Sequence, residues 1–476
     1  MHQSIKVLSV EPFTRWMDTR FPFRYGIAAM TRVPHLFLRV TVDVGGKRSF
    51  GICSEGLPPK WFTKDPDTTF EEDLPDLVGV IRHAAETAVE MPEKESLFAF
   101  WKKLYAIQEV WAMGMDIPPL LANLGVSLME RAVIDATCRA VGRPFHQVLC
   151  SGHLGLSLEW FHSELEGKVP TDFLAETPVS KIGARHTIGL GDALIDADIP
   201  EEDRAKDDLP QALEDCIRFY GLKYFKIKIC GDLAVDRPRL LALAEIFNRE
   251  CPDYRATLDG NEQFTSMAHF RSHWEELLSE PGLQEMLSPP HLLFVEQPIH
   301  RDMALSSQVP GDSICIIDES DAELSSLKSA LSVGYSGTSH KNCKGVFKGI
   351  ANACLLEHLR RENPEETFVL SGEDLGNCGP VTLLQDLAVM ATLQLGHVER
   401  NGHHYFKGLS VFPVELQELV VENHKDLYAM HKGEFASLKI TDGQLNLKNV
   451  LEAPFGTFVE PDDHTMSLLG EPGWPV

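Results

Sequence analysis

Three acidic residues each end a short apolar run, and this repeated placement is the feature that most restricts how the chain can fold. Asp259 ends Ala-Thr-Leu-Asp, Glu296 ends Leu-Leu-Phe-Val-Glu, and Asp318 ends Ile-Cys-Ile-Ile-Asp. Continuous apolar runs of this length are typical of buried parallel strands. Functional residues of α/β folds lie where such strands end. The pattern predicts an α/β fold with three carboxylates at one rim, where they would form a site for a hard cation.

Strand-like and helix-like runs alternate from residue 181 to residue 408. The polar residues at the predicted strand ends are Lys226 with Lys228, Asp259, Glu296, Asp318, Lys341, Glu373 with Asp374, and Glu399. A first strand near residues 181–190 completes eight β/α units, which is the number in a (β/α)8 TIM barrel. A doubly wound open sheet would need a Gly-rich phosphate loop after an early strand, and the sequence has none. We therefore predict a TIM barrel over residues 181–408.

Other patterns flank the predicted barrel. Residues 1–150 contain two alternating strands joined by Gly45-Gly46, a hairpin signature, and a helical pattern over 124–141 that Gly142 stops. They predict an α+β domain. Residues 151–180 form an irregular connecting insertion. We expect the mixed strand and turn segment 409–476 to pack back on the N-terminal domain.

Composition excludes several classes of partner. The 476 residues carry 44 Lys and Arg against 70 Asp and Glu, a net charge of −26, which disfavours nucleic acid and anionic membrane surfaces. No apolar stretch reaches the roughly 18 residues that a membrane span needs. The N-terminus starts with strand-like alternation rather than a signal-peptide pattern, so we expect a cytoplasmic protein.

The ten cysteines are scattered along the chain. They include no Cys-x-x-Cys pair and no His/Cys cluster at zinc spacing. We therefore predict reduced, mostly structural thiols.

Two lysines end the second predicted barrel strand, Tyr-Phe-Lys226-Ile-Lys228. The strand period of two places both on one face. Alone, such a pair indicates a solvated strand face. Because acids follow on the next three strands, the pair is predicted to point into the barrel mouth instead.

Each of the three acids has a plain alternative role, as a helix N-cap or the first residue of a turn. Three carboxylates on adjacent barrel strands would, however, repel one another unless a cation lay between them. An all-oxygen ligand set favours Mg²⁺. Taken together, the acids predict a Mg²⁺ site.

Lys341 follows the sixth predicted strand and would face Lys228 across the barrel, with the metal between them. Lys344, about one turn later, is expected to begin the next helix. A lysine on either side of a metal suits removal of the proton α to a carboxylate, because the metal stabilises the enediolate and either lysine can take or return the proton.

These motifs resemble those of the enolase superfamily, in the group that includes mandelate racemase and muconate lactonising enzymes. The resemblance covers most of the chain and rests on Lys226-x-Lys228, Asp259-Gly-Asn261, Glu296-Gln-Pro298, Asp318-Glu-Ser320 and Lys341. It implies a TIM barrel with an N-terminal capping domain that closes over the barrel mouth.

The resemblance also implies roles for individual residues. It implies Asp259, Glu296 and Asp318 as Mg²⁺ ligands, Lys228 and Lys341 as acid/base groups on opposite faces, and Lys226 as a partner of the substrate carboxylate. Asn261 and Glu319 would support these groups or serve in turns. Cap residues near Arg24 and Tyr25 would shape the substrate pocket.

The chain departs from this group at three strand ends. The seventh strand ends in Glu373-Asp374 without the histidine of mandelate racemase-like members, which argues against a His-Asp dyad; both acids are candidate substrate-binding or supporting residues. On the eighth strand, Glu399 could hold a substrate hydroxyl or amine, and the following His403 and His404 are expected in a loop or at the surface. Ser339-His340 replaces the usual apolar residues before Lys341.

The leading hypothesis is a Mg²⁺-dependent isomerase (racemase or epimerase) or lyase (dehydratase) acting on a sugar acid, hydroxy acid or amino acid derivative. An alternative is a catalytically silent barrel that binds a metal or small acid without turnover. A third is an unrelated barrel whose acids only cap helices. We also expect a homo-oligomer, as is common in this superfamily.

Overall fold

The computed structural model describes residues 2–25, 28–311 and 313–475, with the side chains of all of these except Tyr25 and Ala28. Across those ranges, none of the helices combines the length and the apolar character required to cross a bilayer.

Strands and helices alternate along most of the described chain. The strands are β1 (Ile5–Tyr25), β2 (Ala28–Val44), β3 (Lys47–Gly56), β4 (Lys181–Ile188), β5 (Tyr224–Lys228), β6 (Arg255–Asp259), β7 (Leu292–Glu296), β8 (Cys315–Ile317), β9 (Gly337–His340), β10 (Val369–Gly372), β11 (His397–Arg400), β12 (Tyr428–His431), β13 (Phe435–Leu438), β14 (Gln444–Asn446) and β15 (Glu471–Pro472). The helices are α1 (Pro59–Phe62), α2 (Phe70–Glu90), α3 (Leu97–Gly114), α4 (Pro119–Val141), α5 (Phe145–Cys150), α6 (Leu213–Tyr220), α7 (Leu233–Glu250), α8 (Met267–Ser279), α9 (Arg301–Ala304), α10 (Ser326–Ser332), α11 (Val346–Glu362), α12 (Thr382–Thr392), α13 (Gly402–Tyr405), α14 (Val414–Asn423), α15 (Lys448–Glu452) and α16 (Asp463–Leu469).

The first three strands form an antiparallel sheet that the last strand joins at one edge, in the order β15-β1-β2-β3. The predicted hairpin joins β2 to β3, and its turn residues Gly45 and Gly46 have φ angles of 59° and 84°. Two successive positive φ angles define the tight turn that suits the twist of a hairpin and favours glycine. This sheet and helices α1–α5 are called the cap below.

Helix α4 packs against β3 at close range. A Cβ atom on Gly51 of β3 would lie 1.9 Å from the backbone oxygen of Ala132 in α4, so only glycine permits this approach. Helix α4 ends where the sequence predicted, because Gly142 adopts the left-handed conformation with φ of 70°.

The predicted TIM barrel is confirmed. Within the described residues, eight parallel strands run in the order β4 to β11, and β11 pairs with β4 to close the barrel. The segment after residue 408 contacts both parts of the molecule: β14 pairs antiparallel with β4, and β15 pairs with β1.

Buried hydrogen bonds join the cap to the barrel. The carboxylate of Glu130 in α4 accepts hydrogen bonds from the backbone N–H groups of Val346 (2.9 Å) and Phe347 (2.7 Å), the first residues of α11. Burial raises the pKa of Glu130 to about 7. Nε2 of Gln385 in α12 donates to the backbone oxygen of Ile52 (2.7 Å) in β3. These contacts hold the cap against two barrel helices.

Candidate active site

The three predicted acids lie together at the C-terminal rim of the barrel. Asp259 and Glu296 are the last residues of β6 and β7 and pair with each other, and Glu296 also pairs with Ile316 of β8. Asp318 directly follows β8. Its side chain lies on the same strand face as that of Ile316 because side chains alternate along a strand. All three carboxylates are buried.

Glu296 is the acid whose surroundings best fit a bound cation. Its Oε2 lies 2.8 Å from Nζ of Lys226, but neither carboxylate oxygen accepts a well-directed hydrogen bond from any described residue. Burial, with the nearby carboxylates of Glu373 and Asp259, raises the pKa of Glu296 well above its ordinary value. Buried carboxylate oxygens without hydrogen-bond donors are costly. A bound metal ion would remove this cost, and three clustered carboxylates are ligands that Mg²⁺ accepts.

Lysines surround Asp318. Its Oδ2 lies 2.5 Å from Nζ of Lys341, and its Oδ1 lies 3.1 Å from Nζ of Lys344. Burial alone would raise the pKa of Asp318, but the two ammonium groups outweigh it and hold the pKa well below its ordinary value.

Lys344 was expected to begin a helix, but α11 begins later, at Val346. Lys344 instead ends a short 3₁₀ turn, Asn342–Lys344, and its Nζ also donates to Oγ of Ser339 (2.8 Å). The tight turn brings this side chain back over the rim of the barrel. The three residues Asn342–Lys344 carry no sequence pattern that predicts this reversal of the chain.

Lys226 lies at the centre of the carboxylate cluster. Its Nζ lies 2.7 Å from Glu373, 2.8 Å from Glu296, 3.0 Å from Asp259 and 3.2 Å from Glu399. Burial alone would lower the pKa of Lys226, but the four carboxylates raise it well above its ordinary value. Lys226 therefore stays charged and offsets the repulsion among the acids.

Lys228 points from the same face of β5, shares Asp259 with Lys226 and also contacts Asn261. Its Nζ donates to Oδ2 of Asp259 (2.6 Å) and to Oδ1 of Asn261 (2.9 Å). Nδ2 of Asn261 donates in turn to Oε1 of Glu319 (2.9 Å). Asn261 and Glu319 thus form a chain of hydrogen bonds behind the lysine. Burial, with the neighbouring acid Asp318, raises the pKa of Glu319 to about 7.

Lys341 approaches from the other side of the barrel mouth. It directly follows β9, and its Nζ lies 4.3 Å from the ring centroid of Trp61 in the cap. Burial lowers the pKa of Lys341, but the carboxylate of Asp318 more than offsets this and raises it above its ordinary value. The position of Trp61 beside Lys341 could not be predicted from the sequence, because a cap residue reaches the barrel only in the folded chain.

Lys228 and Lys341 line one pocket. Its polar wall also includes Lys226, Asn261, Asp318 and Glu399. Its apolar side is formed by Phe23, Met30, Pro58, Trp61 and Leu375. The pocket therefore combines charged groups at the barrel rim with an apolar roof that comes mainly from the cap.

The acids of the last two barrel strands have different surroundings. Glu399 lines the pocket and accepts a hydrogen bond from Oγ1 of Thr187 (2.6 Å). Glu373 lies deeper and is paired with Arg185 of β4. Asp374 accepts hydrogen bonds from the backbone N–H groups of Asn377 (2.9 Å) and Asn401 (3.0 Å), so its carboxylate organises the two loops at this edge.

Arg185 is a buried group that the sequence analysis did not identify. Its guanidinium donates to Glu373, to Oγ of Ser371 (2.9 Å) and to the backbone oxygen of Gly372 (3.0 Å). The sequence located β4 only approximately, so the direction of this side chain could not be inferred. Arg185 supplies the positive charge that a buried Glu373 needs.

The two cap residues predicted to shape the pocket are placed differently. Within the described part of the chain, Arg24 is not among the pocket-lining residues; its side chain is exposed and lies beside Gly191. The side chain of Tyr25 lies outside the described residues. Their neighbour Phe23 lines the pocket instead.

The prediction that His403 and His404 lie in a loop or at the surface was wrong. Both belong to α13 and are buried, with exposures of 8% and 2%. The physical reason is that β1 of the cap covers this helix: Phe21 contacts the ring of His404 edge-on, with centroids 4.9 Å apart.

A closed parallel barrel whose mouth carries buried acids and lysines beneath an antiparallel cap defines a recognisable class of fold. Comparison with solved structures finds this fold in enzymes of the enolase superfamily, in the group of mandelate racemase and muconate lactonizing enzyme. The expected fold relationship is therefore confirmed. No protein-family model matches the chain, and no curated protein matches its sequence.

Three of the similar structures cover nearly the whole chain. A muconate lactonizing enzyme from Pseudomonas fluorescens, complexed with muconolactone, aligns over 97% of this chain and 98% of its own, with a TM-score of 0.59 and 16% identity. An enolase from Pseudomonas fluorescens Pf0-1 with bound magnesium, potassium and tartrate aligns over 98% and 92%, with a TM-score of 0.58 and 13% identity. An enolase from Bradyrhizobium complexed with magnesium and mandelic acid aligns over 94% of both chains, with a TM-score of 0.54 and 14% identity.

Proposed function

We propose that this protein is a Mg²⁺-dependent enzyme that removes the proton α to the carboxylate of a small organic acid. The observation that carries the proposal is the pairing of Lys228 and Lys341 in one pocket beside Asp259, Glu296 and Asp318. Buried lysines are rare unless a function or a charge partner requires them. Two of them beside three buried acids match the needs of proton transfer next to a metal-bound carboxylate.

The two lysines have distinct parts in this proposal. The bond between the α carbon and its hydrogen breaks, the proton moves to Nζ of Lys228, and the electron pair stays on the substrate. Lys341 holds a proton on the other side of the pocket. Because Asp318 raises the pKa of Lys341 above its ordinary value despite burial, Lys341 stays an ammonium ion and is suited to donate that proton.

Asp259, Glu296 and Asp318 would hold the metal ion. When bound, Mg²⁺ supplies the positive charge that offsets the negative charge developing on the substrate carboxylate. The carboxylate of Glu296, which accepts no well-directed hydrogen bond from the described residues, supports this assignment. Two of the similar enolase structures, each complexed with a small acid, also contain magnesium.

Two outcomes can follow proton removal. Return of a proton at the α carbon makes the protein a racemase or epimerase, and loss of a β substituent makes it a lyase such as a dehydratase. The apolar roof of Phe23, Met30 and Trp61 supports an acid with an apolar substituent rather than a fully hydroxylated sugar acid. Glu399 lines the same pocket and could hold a hydroxyl or amine of that acid.

Deuterium exchange tests the proposal. The protein with Mg²⁺ is incubated in D₂O with a panel of 2-hydroxy acids, N-acyl amino acids and dipeptides, and loss of the α-proton signal is followed by NMR. We expect exchange on at least one acid, its loss with EDTA, and a fall of about 100-fold or more in Lys228→Ala. The matched control is Lys223→Ala, an exposed lysine just before β5, which should exchange normally. Exchange that persists in Lys228→Ala at the original rate would refute the proposal.

A catalytically silent barrel is the second candidate function. The observation in its favour is that both oxygens of Asp318 already contact lysines, Lys341 and Lys344. Two ammonium groups in contact with one metal ligand would weaken metal binding. This candidate predicts that no acid of the panel exchanges its α-proton, with or without Mg²⁺. Any exchange that EDTA abolishes would exclude it.

A further inference from the structure

A buried cluster of histidine and cysteine lies where the barrel closes, away from the three acids. His186 belongs to β4, Cys216 to α6 and His404 to α13, and all three are at most 2% exposed. One potential ligand atom from each lies within 4.8 Å of the others. The three residues are far apart in the sequence, which is why no zinc spacing was visible there.

We propose that His186, Cys216 and His404 form a binding site for Zn²⁺, separate from the proposed Mg²⁺ site. Imidazole nitrogen and thiolate sulfur are the ligands that Zn²⁺ prefers, whereas Mg²⁺ prefers oxygen. Because the site is built from residues outside the reaction described above, it does not depend on the proposed function.

The distance between Cys216 and His404 fits a shared metal ion. Sγ of Cys216 lies 3.8 Å from Nδ1 of His404. Two ligands at ordinary Zn–S and Zn–N distances and a tetrahedral angle are separated by about 3.6 Å. The two atoms are therefore already spaced as neighbouring ligands of one tetrahedral ion.

The second ring nitrogen of each histidine faces a polar partner. Nδ1 of His186 lies at hydrogen-bond distance, 3.1 Å, from Nε2 of His403, and Nε2 of His404 lies 4.0 Å from Oδ2 of Asp192, too far for a direct hydrogen bond. Metal-binding histidines are usually oriented in this way, with the nitrogen that does not bind metal directed at a carboxylate or another acceptor. The remaining ring nitrogen of each imidazole is then left for the metal.

The protonation of the cluster also suits a metal ion. Burial lowers the pKa of His186 to about 3, and burial with His186 holds the pKa of His404 well below its ordinary value, so both imidazoles are neutral. Burial raises the pKa of Cys216, so its thiol keeps its proton without a cation. Zn²⁺ would replace that proton, which leaves to solvent as the S–Zn bond forms.

A metal here would stabilise the joint between barrel and cap. His186 pairs with Arg400 in the seam that closes the barrel, and the backbone oxygen of His404 accepts a hydrogen bond from Arg20 of β1 (2.7 Å). The next residue, Tyr405, stacks on the pocket residue Phe23 with centroids 3.9 Å apart. Zn²⁺ would thus hold α13, the helix against which the cap strand β1 packs.

Metal analysis tests the site. The full chain is produced in zinc-supplemented medium, gel-filtered in excess Mg²⁺, and its zinc measured by mass spectrometry. We expect about one zinc per chain in the wild type and less than about a fifth of this in Cys216→Ser and His404→Gln. Cys354→Ser removes another buried thiol and should retain the metal. Asp318→Asn should retain it too, which separates this site from the acids.

Cobalt gives a second, spectroscopic measurement of the same site. Co²⁺ bound through a thiolate has a near-ultraviolet charge-transfer band, and tetrahedral Co²⁺ absorbs strongly in the visible range. We expect both bands in the wild type and in Cys354→Ser. A wild-type protein that retains no zinc and lacks the charge-transfer band, or a Cys216→Ser variant with full zinc content, would overturn the proposal.

Discussion

Nζ of Lys228 lies 2.6 Å from Oδ2 of Asp259, so the lysine proposed to take the substrate proton touches a carboxylate proposed to hold the metal. The same Nζ also donates a hydrogen bond to Oδ1 of Asn261 (2.9 Å). The side chain of Asp259 therefore serves two functions in our account, whereas that of Glu296 lies beside Lys226 and, within the described residues, makes no ion pair with Lys228. Replacing Asp259 and replacing Glu296 by the corresponding neutral amide should therefore have different effects on α-proton exchange.

We expect Asp259→Asn and Glu296→Gln to weaken Mg²⁺ binding, by about 100-fold or more, because each removes an anionic ligand. Saturating Mg²⁺ should restore α-proton exchange further in Glu296→Gln than in Asp259→Asn, since only the latter also changes the partner of Lys228. Exchange rates measured across a Mg²⁺ titration and extrapolated to saturation provide the comparison. Equal rates at saturation in the two variants would contradict the coupling between Lys228 and Asp259.

The barrel and most of the rim follow from local sequence patterns. Asp259 and Glu296 could be assigned because each ends an apolar strand, and Lys228 because side chains alternate along β5. Contacts between distant segments could not be inferred. Trp61 reaches Lys341 only when the cap closes, and Arg185 reaches Glu373 only when the first barrel strand meets the last ones.

Buried Arg131 should be important for the stability of the cap. Its guanidinium donates to Oε2 of Glu55 (3.0 Å) and to the backbone oxygen of Ser54 (3.0 Å), and its side chain is fully buried. Arg131→Met should lower the free energy of unfolding by about 3 kcal/mol, because a buried carboxylate loses its cation. Urea unfolding followed by circular dichroism measures this change.

An exposed ion pair provides the control for that variant. Arg271 and Glu275 are 63% and 61% exposed, so Arg271→Met should cost less than about 1 kcal/mol. The double variant Glu55→Leu with Arg131→Met should regain part of the lost stability. If Arg131→Met has the same urea midpoint of unfolding as the wild type, the proposed importance of the Arg131–Glu55 pair is wrong.

Acid should destabilise the protein through His35. Burial, with the nearby Arg131, lowers the pKa of His35 to about 3, below its ordinary value of 6.5. The unfolded chain therefore binds a proton below pH 6.5 that the folded protein rejects, so stability is full above that pH and falls as the pH approaches 3. Between pH 7.5 and pH 5, His35 should account for a loss of about 2 kcal/mol.

His35→Gln isolates this contribution. The variant should lose about 2 kcal/mol less than the wild type between the two pH values, whatever the other buried histidines contribute. His300→Gln, whose ring is 41% exposed, should follow the wild-type pH dependence. Urea titrations at pH 7.5 and pH 5 measure both. If His35→Gln and the wild type lost the same amount of stability between pH 7.5 and pH 5, His35 would take up its proton in the folded state.

The central claim is that Lys228 and Lys341 serve opposite faces of one substrate carbon. The most direct test takes an acid whose α-proton exchanges and measures deuterium incorporation into each of its enantiomers separately. With saturating Mg²⁺, Lys228→Ala should slow exchange of the enantiomer whose α-proton faces Lys228 by about 100-fold or more. Lys341→Ala should keep that exchange but stop formation of the deuterated opposite enantiomer, because Lys341 supplies the proton on the other face. An acid of which only one enantiomer reacts should lose exchange in Lys228→Ala, because Lys341 stays protonated. Wild-type exchange of both enantiomers in either variant would contradict the claim.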